Sequence, residues 1–470
     1  MSNSGWATGA PLAATPDWVD ELLLAGDDRD VCLHFGSPVD RAGLRHAVAD
    51  REDTLRRLGL VRGGSVALRL PPSLAYAANL LAAWRIGAQV ALLDHRLTAY
   101  ETDRALDRLQ PQVVVSFSGT LPGGLRAFYE VADVAEARDG RPAETGHAVV
   151  QLSSGSTGPS KVIARTAEQL VAEIDRYTRM DGVPLPGERV VLLASVVHVL
   201  GLVGGLLYCL HAGVELVLPE RLTVDAILRA VSAGDAPTTL LGVPFHTELL
   251  ASNPNPPKLP QLKRMTTGGE LVRAEVAQRF TDRYGIVLGN MYGMTEVGVI
   301  ATDLFGEHRP SLTPAPGITV RELDGELLIA TPASPYIGLS DPTRWVDGWL
   351  HTKDAGRVDP ATGLMTVLGR LDSQVSVGGL KVDLTEVEHT LAALPGVESA
   401  VVVYDGGIEA FAVVPDAAAA AALEGELAVR LAPYKRPRVL HIVEQLPRTA
   451  TGKLVRDRAV LRTADPTSAP

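Results

Sequence analysis

The sequence predicts an α/β protein: a large N-terminal domain of packed α/β sheets that includes a β-rich subdomain, followed by a small α+β C-terminal domain. Three observations carry this. Short apolar runs alternate with helix-patterned segments to about residue 300, the pattern of parallel strands covered by helices. From "GELLIATPASPYIG" (325–338) the chain becomes β- and turn-rich. At 470 residues it is too long for a single core. A new unit is expected to begin at Arg370, which divides the chain into domains 1–369 and 370–470.

The elements follow in order. "SVALRL" (65–70) reads as a strand, "LAYAANLLAAWRIG" (74–87) as a helix ending at Gly87, and "AQVALLD" (88–94) as the next strand. "PQVVVSFSG" (111–119) and "HAVVQLSSG" (147–155) each close a β-rich run in a polar turn. After "VIART", Thr166 with Gln169 three residues on has the form of a capping box. Leu170, Val171, Ile174 and Tyr177 then recur on one helical face. "DPATG" (359–363) marks a hairpin. Beyond residue 370, "LTEVEHTLAALPGV" is a helix stopped by Pro395 and Gly396, "SAVVVY" and "IEAFAVV" are strands, and "AAAAAALEGELAVRLA" is a helix. The tail after Asp465 is expected to fray.

Bulk properties exclude several classes. The net charge of −11 argues against a broad nucleic-acid surface but leaves room for a local anion site. Cys32 and Cys209, the two cysteines, are far apart and lack metal spacing, so neither a disulfide framework nor a zinc site is expected. The N-terminus lacks the basic and apolar regions of a signal peptide, which gives a cytoplasmic expectation. Val190 to Val214 carries no charge and is long enough to span a bilayer. It is broken by His198, Gly201, Gly204, Gly205, His211 and Gly213 and lacks basic flanks, so a buried strand, helix and strand is the expected outcome, with no membrane span.

The chemistry lies in a set of polar motifs. "SSGSTGPSK" places Ser153, Ser154, Gly155, Ser156, Thr157, Gly158 and Lys161 after an apolar run. It is not a Walker A loop. It still offers backbone approach at glycines, hydroxyl and N–H donors, and one lysine, all of which suit a polyphosphate. Taken alone it could equally be a Ser/Gly tether. Further on come "TTGGE" (266–270), "NMYGMTEVG" (290–298), "HTKDAG" (351–356), "GRLDSQVSVGGLKVDLTEVE" (369–388) and "PRTATGKLVR" (447–456).

This ordered set resembles the adenylate-forming superfamily of acyl- and aryl-CoA synthetases, nonribosomal-peptide adenylation domains and luciferases, over nearly the whole chain. The resemblance implies a MgATP site. Ser153 to Lys161 would wrap the β- and γ-phosphates. Gly268, Gly269 and Glu270 would pass beside the adenine, on which Tyr292 would stack within the Asn290–Met291–Tyr292–Gly293 segment. Thr295 would reach the α-phosphate, and Glu296 would hold Mg²⁺, a hard ion suited to carboxylate oxygen. Asp354 and Arg370 would take the ribose, and Lys453 would neutralise charge developing at the α-phosphoryl group. Asp372 matches the hinge about which the C-terminal domain would rotate between half-reactions. Gly379 would line the tunnel for the thiol arm of coenzyme A, and Lys381 would lie near the phosphates. Singly, these residues would more often be solvated carboxylates, surface lysines or core aromatics.

The implied reaction has two steps: a carboxylate attacks ATP to give an acyl-adenylate and pyrophosphate, then a thiol displaces AMP. Three departures stand out. Lys161 is followed by Val162 and Ile163 rather than Gly-Val, Lys353 occupies the glycine position of a Thr-Gly-Asp motif, and Lys381 stands where arginine is commoner. They leave open a ligase that performs only the thioester-forming half-reaction. His198 matches an acid-pocket position, with a core histidine as the alternative. Its neighbours Val199, Leu200, Gly201 and Leu202 include no acid to pair an ammonium, which disfavours an α-amino acid. Phe245 in "GVPFHTELL" is a further pocket candidate. The substrate expected is an apolar aryl or aliphatic carboxylic acid. The acceptor would be CoA or a separate carrier protein, for which "YKRPR" (434–438) offers a basic patch. A non-catalytic nucleotide-binding protein is the contrasting reading, opposed by the joint presence of Lys161, Glu296, Asp354, Arg370 and Lys453.

Overall fold

A computed structural model of the chain describes residues 12–123, 126–152, 161–269, 272, 274–338, 341–371, 373–414, 416–447 and 454–463. The chain divides into two compact units. One comprises residues 1–95, 109–151 and 162–369, and the other residues 96–108, 152–161 and 370–470.

Two sheets build the first unit. In the smaller, Gln89–Leu92 lies between Ser65–Leu68 and Val149–Leu152, and Val113–Phe117 joins the far side of Ser65–Leu68, all parallel. Val162–Arg165 and the short strand Tyr336–Ile337 extend it at one edge, with Tyr336 opposite Ile163. In the larger sheet, Val31–Phe35, Glu215–Leu218, Arg189–Leu192, Thr238–Gly242, Leu262–Gly268 and Val287–Met294 run parallel. At Val287–Met294 the direction changes: Gly298–Asp303 returns antiparallel and leads into the β-rich strands through Trp349–Val358 and Met365–Arg370. The mixed α/β architecture with its β-rich extension is the fold class expected from the alternation of runs.

Local sequence explains the elements. Thr166 and Gln169 form the reciprocal capping box: Thr166 N–H donates to Gln169 Oε1 at 2.9 Å and Gln169 N–H to Thr166 Oγ1 at 3.2 Å. The helix they open, Ala167–Thr178, buries Leu170, Val171, Ile174 and Tyr177. Each such side chain contributes about 1.5–3 kcal/mol on leaving water. The uncharged stretch from Val190 resolves as expected into a strand (Arg189–Leu192), a short helical run (Leu200–Ala212) and a strand (Glu215–Leu218), most of it buried. No helix among the described residues is long and apolar enough to cross a membrane. Cys32 and Cys209 are buried free thiols.

The second unit carries the hairpin Gln374–Val377/Leu380–Asp383 and a sheet in which Ile408–Val413 pairs antiparallel with Ser399–Tyr404 and parallel with Val439–Val443. Helices Leu384–Ala392, Ala417–Arg430 and Arg458–Thr463 accompany them. Residues after 463, including the tail expected to fray, lie outside the described residues.

Candidate active site

The centre of the site is the hairpin at the switch from parallel to antiparallel strands. Val287–Met294 and Gly298–Asp303 pair with Met294 opposite Gly298, so Thr295, Glu296 and Val297 form the connecting turn. Val297 N–H donates to the Met294 carbonyl at 3.2 Å and tightens it. The turn lies beyond the carboxyl end of Val287–Met294, and α/β sheets bind ligands outside the carboxyl ends of their parallel strands.

Two hydrogen bonds organise the polar groups. Tyr292 Oη donates to Asp354 Oδ2 at 2.6 Å, joining strands 62 positions apart in sequence. Tyr336 Oη donates to Glu296 Oε1 at 2.8 Å and accepts from Arg344 Nη2 at 3.2 Å. Burial, together with the Glu296 charge, pushes the Tyr336 phenol well above its ordinary range, so it stays a donor. Asp354 is buried, and its N–H donates to Thr352 Oγ1, which itself donates to the Leu327 carbonyl. Each carboxylate is therefore aimed by a tyrosine.

Gly268 ends strand Leu262–Gly268 against the backbone of Met291, and a Cβ there would come 2.7 Å from the Met291 carbonyl oxygen. Asn290 and Met291 are buried in the adjacent strand, and Gly293 and Gly269 follow at the two strand ends. Lys161 immediately precedes strand Val162–Arg165. His198 lies in the turn before Leu200–Leu207, its N–H bonded to the Ser195 carbonyl. The same turn is held by Tyr76 Oη on the Val196 carbonyl and Gln151 on the Val197 carbonyl. Val199 packs on the main apolar core, and Gly201 sits against the Ser195 carbonyl. Phe245 is 40% exposed, edge-on to His246 with ring centroids 5.4 Å apart. His246 is buried, and burial lowers its pKa to about 4.

Lys353 differs from its expected character. It adopts φ +60°, which explains why glycine suits this place in such a motif. Its charge is engaged: Nζ lies 3.7 Å from Glu326 Oε2, and its N–H donates to Glu326 Oε1 at 2.8 Å. His351 Nδ1 shares Oε2 at 2.9 Å. Burial would raise the Glu326 carboxyl, but these partners bring it below its usual range. Glu326 thus ties down both sides of the turn that leads to Asp354.

In the second unit, Arg370 ends strand Met365–Arg370 and Lys381 is exposed on strand Leu380–Asp383. Gly378 and Gly379 form the two-residue turn between Val377 and Leu380 with φ +57° and +82°. A turn with positive φ at both positions selects Gly-Gly without reference to any ligand. "YKRPR" does not form an open basic patch. Lys435 is buried between Glu101 (2.9 Å) and Glu386 (3.0 Å), and Arg436 caps the helix Ala417–Arg430 through the Ala428 and Leu431 carbonyls. Ser153, Ser154, Gly155, Ser156, Thr157, Gly158, Glu270, Asp372 and Lys453 lie outside the described residues.

Sequence reasoning missed Tyr336, Arg344, Glu326 and the Arg165–Glu173 pair. The last had a signal: an acid within the apolar stripe Leu170–Val171–Glu173–Ile174–Tyr177.

The donor set fits magnesium. Among the described residues no group of three or more His, Cys, Asp or Glu could hold a metal alone. Mg²⁺ is normally bound by one or two carboxylates with phosphate oxygens and water completing the shell, and an oriented Glu296 supplies such a carboxylate.

Comparison with known proteins agrees. The AMP-binding enzyme model matches residues 52–329, and the AMP-binding enzyme C-terminal domain matches residues 386–453. A feruloyl-CoA synthase from Amycolatopsis is 28% identical, over 90% of this chain and 94% of its own length. A 4-hydroxybenzoate–CoA/benzoate–CoA ligase from Rhodopseudomonas palustris is 28% identical over 94% and 93%. In fold, a structure of o-succinylbenzoate CoA synthetase from Bacillus subtilis matches with a TM-score of 0.80 at 22% identity, covering 96% of this chain and 99% of that one. With more than half its length matched by the family model, the chain belongs to the AMP-binding enzyme family of acyl- and aryl-acid ligases.

Proposed function

We propose that this ligase uses MgATP to activate an apolar aryl carboxylic acid as its acyl-adenylate and then transfers the acyl group to coenzyme A. The observation that carries the reading is the hairpin carrying Tyr292, Thr295 and Glu296, in which Tyr292 is hydrogen-bonded within its sheet to Asp354 and Glu296 is hydrogen-bonded to Tyr336 of the smaller sheet. That arrangement supplies a ring for adenine, a carboxylate for ribose hydroxyls, a hydroxyl for the α-phosphate and a carboxylate for the metal. Glu296 would hold Mg²⁺, which when bound neutralises triphosphate charge.

In the first step the substrate carboxylate oxygen attacks the α-phosphorus, the bond from that phosphorus to the α,β-bridging oxygen breaks, and pyrophosphate leaves with that oxygen. Ser153 to Lys161 hold the departing phosphates, with Gly268, Gly269 and Glu270 beside the base. In the second step a thiolate attacks the acyl carbon and AMP leaves. Residues 1–369 serve as the adenylate-forming domain and 370–470 as the lid, turning at Asp372. Arg370 and Lys453 act in adenylation, with Lys381 near the phosphates, and Gly379 lines the thiol path.

The aryl preference draws on the relatives named above and on the uncharged surroundings of His198, where Val199, Leu200 and Gly201 offer nothing to pair an ammonium. CoA is favoured over a carrier protein because Lys435 and Arg436 are committed to internal contacts. Both half-reactions are proposed, since the Lys353 charge is met by Glu326 rather than added to the nucleotide site.

Acid-dependent exchange of labelled pyrophosphate into ATP across benzoates, cinnamates and alkanoates tests the reading. Exchange with an aryl acid is expected, and Lys453→Ala should abolish it while sparing thioester formation from a synthetic acyl-adenylate. Exchange with α-amino acids alone would overturn it.

A further inference from the structure

A buried ion pair in the first unit has no part in the functions above. Arg165 ends the strand that begins one residue after Lys161, and Glu173 lies on the following helix. Both are buried, and Arg165 Nη1 lies 2.6 Å from Glu173 Oε2. Buried ion pairs contribute little to stability on balance, because desolvation offsets their attraction. Their geometry is the more telling feature. Glu173 Oε1 accepts the Val299 N–H at 2.9 Å, and Arg176, one turn on, donates from Nη1 to the Val299 carbonyl at 3.0 Å. The helix therefore grips both backbone groups of Val299, two residues beyond the Thr295–Glu296–Val297 turn.

Gly298 makes the grip close. Its φ is +90°, and a Cβ there would lie 2.1 Å from Glu173 Cδ. On the other side, Glu296 is held by Tyr336, whose strand pairs with the one that ends in Arg165. The turn carrying Thr295 and Glu296 is thus fixed at its exit by Glu173 and Arg176 and at its carboxylate by Tyr336. Both constraints converge on the strand that Lys161 precedes.

We infer that Glu173 and Arg176 are positioning residues that fix the Thr295–Glu296 turn for Mg²⁺–nucleotide binding, with Arg165 as the counter-ion that allows Glu173 to be buried as a carboxylate. The inference rests on the reading of Glu296 as the metal carboxylate. Arg165 offsets the charge of the buried Glu173 carboxylate, and Glu173 Oε1 holds the turn through the Val299 N–H.

The test uses calorimetric binding of Mg²⁺ with α,β-methylene-ATP, which is not turned over. In Arg165→Met/Glu173→Gln the amide oxygen can still accept the Val299 N–H, so binding within about twofold of the native enzyme is expected. In Arg165→Met/Glu173→Met that acceptor is lost, and about tenfold weaker binding is expected. Arg176→Met, which removes only the contact to the Val299 carbonyl, should weaken binding in the same direction and guards against a fold defect in the double variants. Glu296→Gln serves as the control. If it leaves binding unchanged, the metal role of Glu296 fails and the inference falls with it. If Glu296→Gln weakens binding while Arg165→Met/Glu173→Met and Arg176→Met bind as the native enzyme does, the positioning role alone is overturned. Equal loss in the Gln and Met double variants would also overturn it, since charge rather than the grip on Val299 would then be responsible.

Discussion

Replacing Tyr292 by phenylalanine removes one atom and leaves the ring. The lost hydroxyl donates to Asp354 Oδ2 at 2.6 Å, a short charge-assisted bond to a buried carboxylate. Hydrogen bonds to charged groups contribute about 1.5–3 kcal/mol. If Asp354 receives the ribose, ATP affinity in Tyr292→Phe should fall by a factor of roughly 10 to 150. The phenyl face is retained, so stacking on adenine should change little. Titration with ATP and with 2′-deoxy-ATP separates the two contributions. Native protein should prefer ATP, and Tyr292→Phe should narrow that preference because the group reading the sugar is no longer aimed. A variant that binds ATP as tightly as the native protein, with discrimination intact, would refute the link between Tyr292, Asp354 and the ribose.

Other consequences follow from the same geometry. Lys353→Gly should raise the thermal midpoint, because it relieves a left-handed conformation costing about 1 kcal/mol at a non-glycine residue, while the 3.7 Å contact to Glu326 contributes little; a lowered midpoint would contradict this. His246 is held neutral by burial, its pKa lowered from 6.5 to about 4. Below pH 6.5 the unfolded chain takes up a proton that the folded one refuses, so stability present at pH 7 should fall by about 3 kcal/mol on reaching pH 4. His246→Gln should flatten that part of the stability–pH profile, and an unchanged slope would argue against the burial.

Much of the fold was legible because its signals are local. The capping box of Thr166 and Gln169 and the stripe from Leu170 to Tyr177 each lie within one helix, so spacing alone defines them. The uncharged run from Val190 was readable as core because its glycines and histidines suit a buried helix better than lipid. What sequence could not supply were partners distant along the chain. Tyr336 meets Glu296 across 40 positions and Glu173 meets Val299 across 126, and neither separation follows a period. Basic residues in a row looked like a patch, yet Lys435 is taken up by Glu101 and Glu386 from other segments. Lys353 looked like an intruding charge until its backbone angle and Glu326 were known.

The central claim is that one active site couples ATP cleavage to AMP with thioester formation. The most direct measurement is simultaneous quantification of AMP, pyrophosphate and acyl-CoA when the enzyme meets Mg²⁺, ATP, CoA and an apolar aryl acid such as benzoate or a cinnamate. The account predicts the three products in equal amounts, dependent on both acid and CoA. Release of ADP and phosphate, or no acyl-CoA from any aryl acid offered, would contradict it.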